Sequence, residues 1–459
     1  MTTPAAMATG MRTCGAPVRA RARVNRRGWT EKERTRARKA TARVDSVDAP
    51  SFDAVEDAVA AIRRGEAVVV LDDATREDEG DLILAAEKVT ESTMAFVVRH
   101  CSGVVCVGMR GSDCDRLGLA PMVATHLNAD PNRTAYTVSV DLSIGVSTGI
   151  SAADRTKTIH ALANPNSTPD TFRRPGHVFP LRSRTGGVLA RRGHTEAAVD
   201  LARLAGCFPA GVLCELVNDD GSVMRLRECD KFAKANGLCM ITIDQLVQHI
   251  KRTERQVNKV AASKMPTEHG DFVLHAYVSE LDGMEHVAVV KGDIGDGENV
   301  LTRLHSECLT GDILGSKRCD CGPQLQASLD MLEKEGSGVV VYLRGHEGRG
   351  IGLAEKIRAY HLQDQGRDTV EANLDLGHPI DARDFAVGAQ ILTDLGVRSV
   401  RLMTNNPSKV TSLEEYGVRV TERISLYTQI HPENEKYLET KRLKMGHLFS
   451  NKPECDHDH

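Results

Sequence analysis

The pattern of apolar and polar positions predicts alternating helices and strands from about residue 50 onward. Residues 51–65 carry apolar side chains at helical spacing, with Ser51 positioned to cap the start and Gly65 to end the helix. The apolar run at 66–73 predicts a short buried strand. This strand leads into a charged loop, ATREDEGDL at 74–82, so several carboxylates are expected beside its end.

The second half of the chain repeats this alternation. Residues 271–294 alternate as two paired strands around the turn LDGM. The spacing at 323–336 predicts an amphipathic helix, and the apolar run at 337–345 predicts a buried strand that enters a glycine-rich loop. Strands that alternate with helices in both halves predict an α/β and α+β fold class.

Length and periodicity together indicate two domains in tandem. A chain of 459 residues is long enough for two or three hydrophobic cores. We expect a first domain over 49–255, a polar linker over 256–268, and a second domain over 269–459 that ends in a flexible tail. A disordered segment at 1–48 is expected to precede both domains.

The charge of the chain is distributed unevenly. Its net charge is −4, but residues 1–44 carry +10 and the remainder carries −14. The basic head is rich in Arg, Ala and Thr, which is typical of an organellar transit peptide, and a solvated basic tail is the alternative. The acidic body argues against nucleic acid as a partner. No apolar run approaches the roughly 20 residues that a membrane span requires.

Three cysteines, Cys308, Cys319 and Cys321, lie close together in the order C-x10-C-x-C. Twelve cysteines without even spacing favour metal ligands and buried thiols over a disulfide framework. Thiolates suit zinc, and three of them would leave a fourth position for a water whose pKa falls toward neutrality. The alternative is that the three cysteines are buried as small apolar side chains.

Glycine-rich and charged loops follow the cysteines. The run HEGRGIGL (346–353) has the composition of a loop whose backbone approaches phosphate, and Arg349 adds a cation. DLGHPIDARDF (375–385) and MTNNPSKV (403–410) place further charged side chains in loops. With the cysteine cluster, these motifs resemble GTP cyclohydrolase II over about residues 270–430. That family opens the guanine ring of GTP at the start of riboflavin synthesis.

This resemblance implies a role for each matching residue. Zn²⁺ is implied at the three cysteines, and Mg²⁺ is expected to accompany GTP. Tyr360 is implied to orient the reacting base. Asp381 and Arg383 match the proton acceptor and the nucleophile, although a phosphate clamp is the alternative for Arg383 because arginine stays protonated. The residues implied to contact GTP are Arg303, Leu304, His305, Ser306, Glu307, Gln324, Glu347, Gly348, Arg349, Thr369, Thr404 and Lys409.

The first half has its own concentration of reactive side chains. The loop at 74–82 combines acids with Arg76, as a divalent cation and a sugar phosphate would require, and a solvated charged loop is the alternative. His177 is expected in a turn framed by Pro and Gly, and His194 lies in the run RRGHTEA. Glu215 lies in an apolar run, where an unpaired carboxylate would be costly.

Together these stretches resemble 3,4-dihydroxy-2-butanone 4-phosphate synthase. The matching motifs are DDATREDEGDL (72–82), TVSVD (137–141), TGISAADR (148–155), PGHVFPL (175–181) and GGVLARRGHTEA (186–197). The match spans nearly all of residues 50–250. That family converts ribulose 5-phosphate to dihydroxybutanone phosphate and formate, using Mg²⁺.

The resemblance implies that Glu77 and His194 bind Mg²⁺, or Mn²⁺ in its place, and that His177 and Glu215 are essential for catalysis. Enolisation of a ketose needs a general base, and the sequence leaves Glu79, Asp81, His177 and Glu215 open for that role. The residues implied to contact ribulose 5-phosphate are Arg76, Glu77, Asp81, Cys106, Arg191, Arg192, Gly193, His194, Thr195 and Glu215.

The sequence therefore predicts a bifunctional enzyme of riboflavin synthesis, a lyase joined to a hydrolase, in the plastid stroma or otherwise in the cytoplasm. One degenerate site kept as a scaffold is the first alternative. A zinc-dependent nucleic-acid-binding regulator is the second, and the acidic body and the lack of a four-ligand zinc module oppose it. We expect small-molecule substrates and a homodimer, with no nucleic-acid or membrane partner.

Overall fold

The computed structural model describes residues 50–444 and 446. The predicted transit peptide at 1–48 and the end of the predicted tail lie outside the described residues. Within them, the chain forms two seven-stranded sheets in tandem, each with helices packed against it. The predicted α/β and α+β fold class is therefore confirmed.

The first sheet has the strand order β4-β5-β3-β6-β2-β1-β7, with both parallel and antiparallel neighbours. Its strands are β1 (Val68–Leu71), β2 (Gly80–Ala85), β3 (Cys106–Met109), β4 (Val140–Leu142), β5 (Phe172–Arg182), β6 (Ala210–Glu215) and β7 (Cys239–Thr242). The helices of this half are α1 (Val55–Arg64), α2 (Glu91–His100), α3 (Gly111–Arg116), α4 (Ala152–Leu162), α5 (Gly187–Ala190), α6 (His194–Leu204), α7 (Leu226–Asn236) and α8 (Ile243–Thr253).

Helix α1 begins later than the sequence predicted. Its N-cap is Ala54, so the prediction of Ser51 as the capping residue is wrong. The reason is that the backbone N–H of Asp53 donates to the carbonyl of Met240 in β7, which keeps the preceding chain extended. Gly65 ends the helix as predicted, in the left-handed conformation (φ 84°) that glycine adopts without strain.

The pairing of β2, β6 and β3 sets which side chains meet in the first sheet. Asp81 pairs with Glu215, and Leu213 pairs with Cys106. Because side chains alternate along a strand and paired residues share a face, Asp81, Glu215 and Cys106 project from the same face. Helix α6 packs against this face through a shared apolar core, and His194 is its first residue.

The second sheet has the strand order β14-β13-β11-β12-β10-β9-β8. Its strands are β8 (Val257–Thr267), β9 (Gly270–Ser279), β10 (Glu285–Lys291), β11 (Val300–Ser306), β12 (Gly338–Leu343), β13 (Ser399–Met403) and β14 (Arg419–Ile424). The helices are α9 (Cys321–Glu335), α10 (Leu353–Asp364), α11 (Thr369–Asp375), α12 (Ala386–Asp394), α13 (Pro407–Glu415) and α14 (Pro432–Lys444). Strands β9 and β10 form the hairpin predicted over 271–294.

The segment predicted as a linker, 256–268, is instead almost entirely strand β8. It pairs antiparallel with β9 along its whole length and forms the edge of the second sheet. Most of its side chains are exposed, so it carries none of the apolar alternation by which a strand is recognised in sequence. Across the junction, the Gln390 side chain bonds to the backbone of Lys251, Glu254 and Gln256.

Strands β11, β12 and β13 run parallel at the centre of the second sheet. Their carboxyl ends therefore meet at one edge, where open α/β sheets commonly bind ligands. The loops that leave this edge contain the cysteine cluster, the glycine-rich run and the motif MTNNPSKV. Among the described residues, no helix has both the length and the apolar character needed to cross a bilayer.

Candidate functional site

The acidic loop after β1 is organised around the buried carboxylate of Asp72. That carboxylate accepts hydrogen bonds from the backbone N–H groups of Glu77 (3.1 Å) and Glu79 (2.9 Å). The Arg76 guanidinium donates to it at 2.8 Å and also pairs with the Glu77 carboxylate. Asn132 donates to the second Glu77 oxygen at 2.7 Å. The loop is thus an ordered cluster of acids, and the prediction missed Asp72 as its centre.

Helix α6 presents His194 to these acids in a defined tautomer. Its Nε2 lies 3.1 Å from the carbonyl of Val70, which can only accept, so Nε2 carries the proton. The lone pair of Nδ1 then faces carboxylate oxygens of Asp81 at 3.6 Å and Glu77 at 3.9 Å. Burial lowers the pKa of His194, which keeps the ring neutral and available as a ligand.

Ligand atoms of Asp72, Glu77 and His194 lie within 4.8 Å of one another. Oxygen donors with one imidazole suit Mg²⁺ or Mn²⁺. Next to them, the Oδ1 atom of Asp81 is buried without a hydrogen-bond partner within the described part of the chain. An unsatisfied buried carboxylate oxygen beside three possible ligands fits a bound cation.

Burial also changes the acidity of neighbouring groups on this face. Burial first, and then the Glu215 charge, raise the pKa of Asp81 well above its ordinary value. Burial and the Glu77 charge raise that of Glu79. The Glu215 carboxylate accepts a hydrogen bond from the Ser102 hydroxyl at 2.7 Å. Raised pKa values of this kind are typical of carboxyl groups that exchange protons near neutral pH.

Cys106 lies on the same face, but its thiol is unreactive by these criteria. Its side chain is buried, and burial followed by the Glu215 charge raises the pKa of the thiol well above its ordinary value. A thiol that stays protonated is a poor nucleophile. Cys106 can therefore line a pocket without taking part in covalent chemistry.

His177 lies in strand β5, so its expected placement in a turn is wrong. The segment stays extended because its backbone N–H and ring Nδ1 both donate to the Asp141 carboxylate, at 2.9 and 2.8 Å. Cys106 pairs with Phe179, two residues further along β5, so His177 projects from the face that carries Glu215. Strand β3 separates β5 from β6, and His177 thus stands two strands from Glu215.

The RRGHT segment places its residues differently. The Arg191 guanidinium donates to the buried Glu196 carboxylate at 2.7 Å and to the Thr134 hydroxyl at 3.1 Å, which fixes it beside the start of α6. Gly193 is the N-cap of α6, and Thr195 is buried in its first turn. Arg192 is exposed and pairs with Asp244 of α8, so the structure does not bring it together with the others.

In the second half, the loop after β11 and the start of α9 bring the three predicted cysteines together. The Sγ atoms of Cys308 and Cys319 lie 3.7 Å apart, and all three Sγ atoms, including that of Cys321, lie within 4.8 Å of one another. Tetrahedral zinc with Zn–S bonds of about 2.3 Å separates its sulfur ligands by ~3.8 Å. The spacing therefore fits zinc.

Gly311 explains how the loop closes on the cysteines. A Cβ atom at this position would lie 2.8 Å from the Sγ of Cys319 and 3.2 Å from that of Cys308. Any other residue would fill the space between the sulfurs and the π-helical turn Leu309–Ile313. The turn thus forms a cradle against the sulfurs that glycine leaves open.

Lys356 of α10 supplies a positive charge to the cysteine cluster. Its Nζ lies 3.2 Å from the Cys308 Sγ, 2.8 Å from the Thr310 hydroxyl and 2.5 Å from the Glu347 carboxylate. Burial alone would lower the pKa of Lys356, but Glu347 and then Cys308 outweigh burial and raise it. Hydrogen bonds from the other two cysteines, and then Lys356, lower the pKa of Cys308. Lys356 was missed, because a lysine in a predicted helix gives no signal of its own.

A pocket beside the cysteines is lined with buried cations. The Lys409 ammonium donates to the Leu304 carbonyl at 2.8 Å, and burial followed by the charges of Arg303 and Arg383 lowers its pKa well below the ordinary value. Burial lowers the pKa of Arg303 to about 10. Both terminal nitrogens of the Arg349 guanidinium are buried without a hydrogen-bond partner in the described residues. Buried cations with unsatisfied donors require an anion.

Arg383 and His346 have fixed charge states in this pocket. The Nε of Arg383 donates to Asp381 at 2.8 Å, and the guanidinium also reaches the Ser306 hydroxyl at 3.3 Å. Burial would lower the pKa of Arg383, but the Asp381 carboxylate outweighs it and raises the pKa. Burial and then the charges of Arg383 and Lys409 lower the pKa of His346 to about 3, so its ring is neutral.

Most residues predicted to act on GTP line this single pocket. They are Arg303, His305, Ser306, Glu307, Gln324, Glu347, Gly348, Arg349, Thr369, Thr404 and Lys409, with Tyr360, Arg383 and the three cysteines. Leu304 and Asp381 are the exceptions. The Leu304 side chain is in the core and only its carbonyl reaches the site, and Asp381 pairs with the lining residue Arg383. Sequence reasoning missed the lining residues Arg318, His346, Lys356, Asn373, Tyr437 and Lys441.

Comparison with known proteins assigns a family to each half. Residues 56–249 match the family model for 3,4-dihydroxy-2-butanone 4-phosphate synthase, and residues 258–425 match that for GTP cyclohydrolase II. A riboflavin biosynthesis protein RibBA of Salinispora tropica is 60% identical over 399 residues, which cover 87% of this chain and 99% of the relative.

A plant relative and a solved structure extend the comparison. A probable bifunctional riboflavin biosynthesis protein RIBA 1, chloroplastic, of Oryza sativa subsp. japonica is 56% identical over 89% of this chain and 76% of its own length. The crystal structure of RibBX, a two-domain 3,4-dihydroxy-2-butanone 4-phosphate synthase from A. baumannii, is 32% identical with a TM-score of 0.60, and the match covers 82% of this chain and 100% of that one.

The fold and the two sites thus define a lyase and a hydrolase fused in one chain. The chain belongs to the family of bifunctional riboflavin biosynthesis proteins that join a 3,4-dihydroxy-2-butanone 4-phosphate synthase to a GTP cyclohydrolase II. The first half converts ribulose 5-phosphate to 3,4-dihydroxy-2-butanone 4-phosphate and formate. The second hydrolyses GTP to 2,5-diamino-6-ribosylamino-pyrimidinone 5′-phosphate, formate and pyrophosphate. The predicted activities are confirmed.

Proposed function

We propose that Asp72, Glu77 and His194 hold the divalent cation of the synthase site, Mg²⁺ or Mn²⁺. The observation that carries this proposal is the free Nδ1 of His194, which faces two carboxylates because Nε2 is tied to the Val70 carbonyl. A cation at this position supplies Lewis-acid stabilisation of the negative charge that develops on a ketose. Arg76 and Arg191 are then the residues that bind the sugar phosphate.

We assign proton transfer at this site to two acids, the buried Asp81 and the half-buried Glu79. Asp81 and Glu79 have raised pKa values, which suits groups that take and return a proton during enolisation. His177, held by Asp141, and Glu215 act on the same face as positioned proton carriers. Cys106, Gly193 and Thr195 shape the pocket. Arg192, which pairs with Asp244, contributes only to the electrostatic potential around it.

In the second half, we propose that Cys308, Cys319 and Cys321 bind Zn²⁺. The sulfur spacing and the cradle at Gly311 support this assignment. Zinc held by these three thiolates would supply Lewis-acid activation of a water molecule. Lys356 balances the charge of the thiolates, and Tyr360 is held next to them through the Thr310 hydroxyl, 3.3 Å away, where it orients the guanine base.

The cations of the second pocket are proposed to bind the triphosphate of GTP, with Mg²⁺ accompanying it. Within residues 50–444, two guanidinium nitrogens of Arg349 have no hydrogen-bond partner, and Lys409 is buried among other cations. For Arg383 we propose the role of phosphate clamp, because Asp381 keeps its guanidinium charged and a charged guanidinium is not a nucleophile. Binding of a polyanion would relieve the repulsion among these cations.

The experiment that tests both sites is formate release by the full chain, measured separately with ribulose 5-phosphate and with GTP. His194→Ala should abolish formate only from ribulose 5-phosphate, and Cys319→Ser only from GTP. Zinc and magnesium binding are measured alongside by metal analysis and calorimetry. If either variant keeps its metal, the assignment of that ligand is wrong, and if either loses both activities, the two sites are not independent.

The role of Arg383 has its own test. Arg383→Lys keeps a cation but loses the bidentate fork, and a phosphate clamp predicts a raised KM for GTP with pyrophosphate and formate still released together. A nucleophile at this position predicts that both products disappear at saturating GTP.

We further propose that residues 1–48 direct the chain to the plastid stroma, that the two activities reside in 49–255 and in the part of the chain from strand β8 onward, and that the protein is a homodimer. The chloroplastic name of the rice relative and the composition of the basic head support the first point. Exposed apolar side chains beside the second site, Ile313 and Leu314, support the last. Import into isolated chloroplasts and sedimentation of the purified chain test them.

A further inference from the structure

The C-terminal helix α14 lies beyond the range matched by the GTP cyclohydrolase II model, which ends at residue 425, yet it reaches the GTP pocket. Tyr437 and Lys441 of α14 are among the residues that line the pocket. The helix is seated by buried residues, Asn434 and Leu438 among them, and it packs against α11. A helix that lines the pocket is placed to influence what binds there.

The contact of greatest interest is between Lys441 and Asp320. The Lys441 Nζ donates to the Asp320 Oδ1 at 2.7 Å, and both side chains are almost fully buried. Asp320 is the N-cap residue of α9 and stands between Cys319 and Cys321. A buried carboxylate that loses its bonded cation must take another partner, so the Lys441 contact fixes which groups Asp320 binds at this place.

The same carboxylate fixes the orientation of a side chain predicted to contact GTP. The second oxygen of Asp320 accepts a hydrogen bond from the Gln324 amide nitrogen at 2.6 Å. The Gln324 amide must therefore direct its oxygen the other way, and this oxygen accepts a bond from the Arg303 guanidinium at 2.7 Å. Arg303 donates its other terminal nitrogen to the Met403 carbonyl at 2.9 Å. Lys441, Asp320, Gln324 and Arg303 thus form one continuous chain of charge-assisted bonds.

We propose that Lys441 is a positioning residue for GTP binding, acting through Asp320 and Gln324 on the Arg303 guanidinium. Without the lysine, Arg303 is the cation nearest along the bonded chain that can neutralise Asp320, and it would leave its position in the pocket. The proposal rests on the proposed GTP pocket, and it adds a part of the chain that the family match does not include. Substrate binding, more than turnover at saturation, depends on this contact.

The test uses the full chain and compares Lys441→Met with Arg442→Met, an exposed charge on the same helix. Lys441→Met should raise the KM for GTP about tenfold or more, the usual effect of losing a residue that orients a ligand-binding group, with kcat changed much less. Zinc content and formate release from ribulose 5-phosphate should match those of the parent. Arg442→Met should leave KM within twofold. An unchanged KM in Lys441→Met, or loss of zinc together with both activities, would overturn the proposal.

Two further variants separate positioning from a merely structural role. Asp320→Asn combined with Lys441→Met removes the buried charge together with its partner, and should reverse a large part of the rise in KM caused by Lys441→Met alone. Lys441→Arg should show a smaller rise in KM than Lys441→Met. Failure of both to do so contradicts the charge coupling.

An Arg303→Met variant distinguishes this proposal from that of the GTP pocket. If KM for GTP is unchanged in Arg303→Met, the pocket itself is wrongly assigned. If KM rises in Arg303→Met but not in Lys441→Met, only the inference about Lys441 fails.

Discussion

The two sites of this chain have opposite charge patterns. The synthase site gathers carboxylates, with Asp72, Glu77 and Asp81 around one imidazole, and burial there raises the pKa of Asp81 and of the neighbouring Glu79. The cyclohydrolase site gathers cations around thiols, and burial there lowers the pKa of Lys409 and Arg303. In both sites, burial disfavours the charged state of the groups that surround the site.

The difference shows what each site lacks. In the first, the unsatisfied atom is a carboxylate oxygen of Asp81, and in the second, the unsatisfied atoms are the guanidinium nitrogens of Arg349, among the residues described. The missing charge is positive in one case and negative in the other. A divalent cation and a triphosphate are the partners that we propose for them, so ligands should stabilise the two halves separately.

The largest effect should come from replacing one of the thiols of the cyclohydrolase site. Cys319→Ser replaces a soft ligand by a hydroxyl, and GTP-dependent formate release should fall by about 1000-fold or more, as expected when a metal that activates water is lost. Release from ribulose 5-phosphate should not change. Assays of both activities with zinc analysis check this, and retention of zinc with full GTP turnover would contradict the assignment of the site.

A smaller effect is expected from removing a carboxylate of the synthase site. Asp72→Asn keeps the shape of the side chain but removes the charge that Arg76 and the loop N–H groups share, and the concentration of Mg²⁺ for half-maximal synthase activity should rise about 10–100-fold. Asp73→Asn is the matched control, because its carboxylate is exposed and bonds to Thr75 in the same loop. Titration of activity against Mg²⁺ distinguishes them, and equal effects would show that Asp72 has no special role.

Gly311→Ala tests whether the close approach of the turn to the sulfurs matters for zinc binding. The added methyl would lie 2.8 Å from the Cys319 sulfur, so the turn must shift and zinc affinity should fall about tenfold. Competition with a chelator measures this affinity. Ile313→Ala, in the same turn but exposed, should bind zinc as the parent does. If the two variants lose zinc equally, crowding of the sulfurs is not the cause.

The smallest effect concerns pH and the buried acid of the first site. Below about pH 4, Asp81 is protonated in both folded and unfolded chains, so it opposes folding little. As the pH rises through its raised folded pKa, the ionised carboxylate destabilises the fold. Asp81→Asn should therefore unfold at a higher temperature than the parent at pH 8 without divalent cations, by a few degrees, since ~1 kcal/mol shifts the midpoint by about 2–4 °C.

Calorimetry at several pH values checks this prediction. The difference between Asp81→Asn and the parent should shrink as the pH falls toward 4, and added Mg²⁺ should remove it at pH 8 by stabilising the parent. A parent that is more stable than the variant at pH 8 without Mg²⁺ would show that Asp81 is satisfied in a way the geometry does not include.

The sequence was most informative where chemistry depends on residue type and spacing. The three cysteines and His194 were predicted from their motifs, and the structure brings each set together. Asp72 could not be identified, because it is adjacent to Asp73 and the two are alike in sequence. Only the end of strand β1 decides which carboxylate turns inward to meet the loop N–H groups.

Elements held by polar contacts were harder to predict than elements held by apolar ones. Strand β8 is exposed on most of its length and helix α14 is rich in charged residues, so neither shows a clear apolar period. The first is held by backbone bonds to β9 and the second by contacts such as Lys441 with Asp320. Such contacts join residues far apart in sequence, and no local sequence pattern predicts them.

The junction between the sheets has a consequence for separating the two activities. Helix α8 ends at Thr253 and strand β8 begins at Val257, which leaves only residues 254–256 between them. A break there divides the chain without opening either sheet. A break at residue 268 would instead strip away β8 and expose the backbone edge of β9, a template for aggregation. Anyone who wishes to express the halves as independent proteins should therefore place the new terminus before the edge strand.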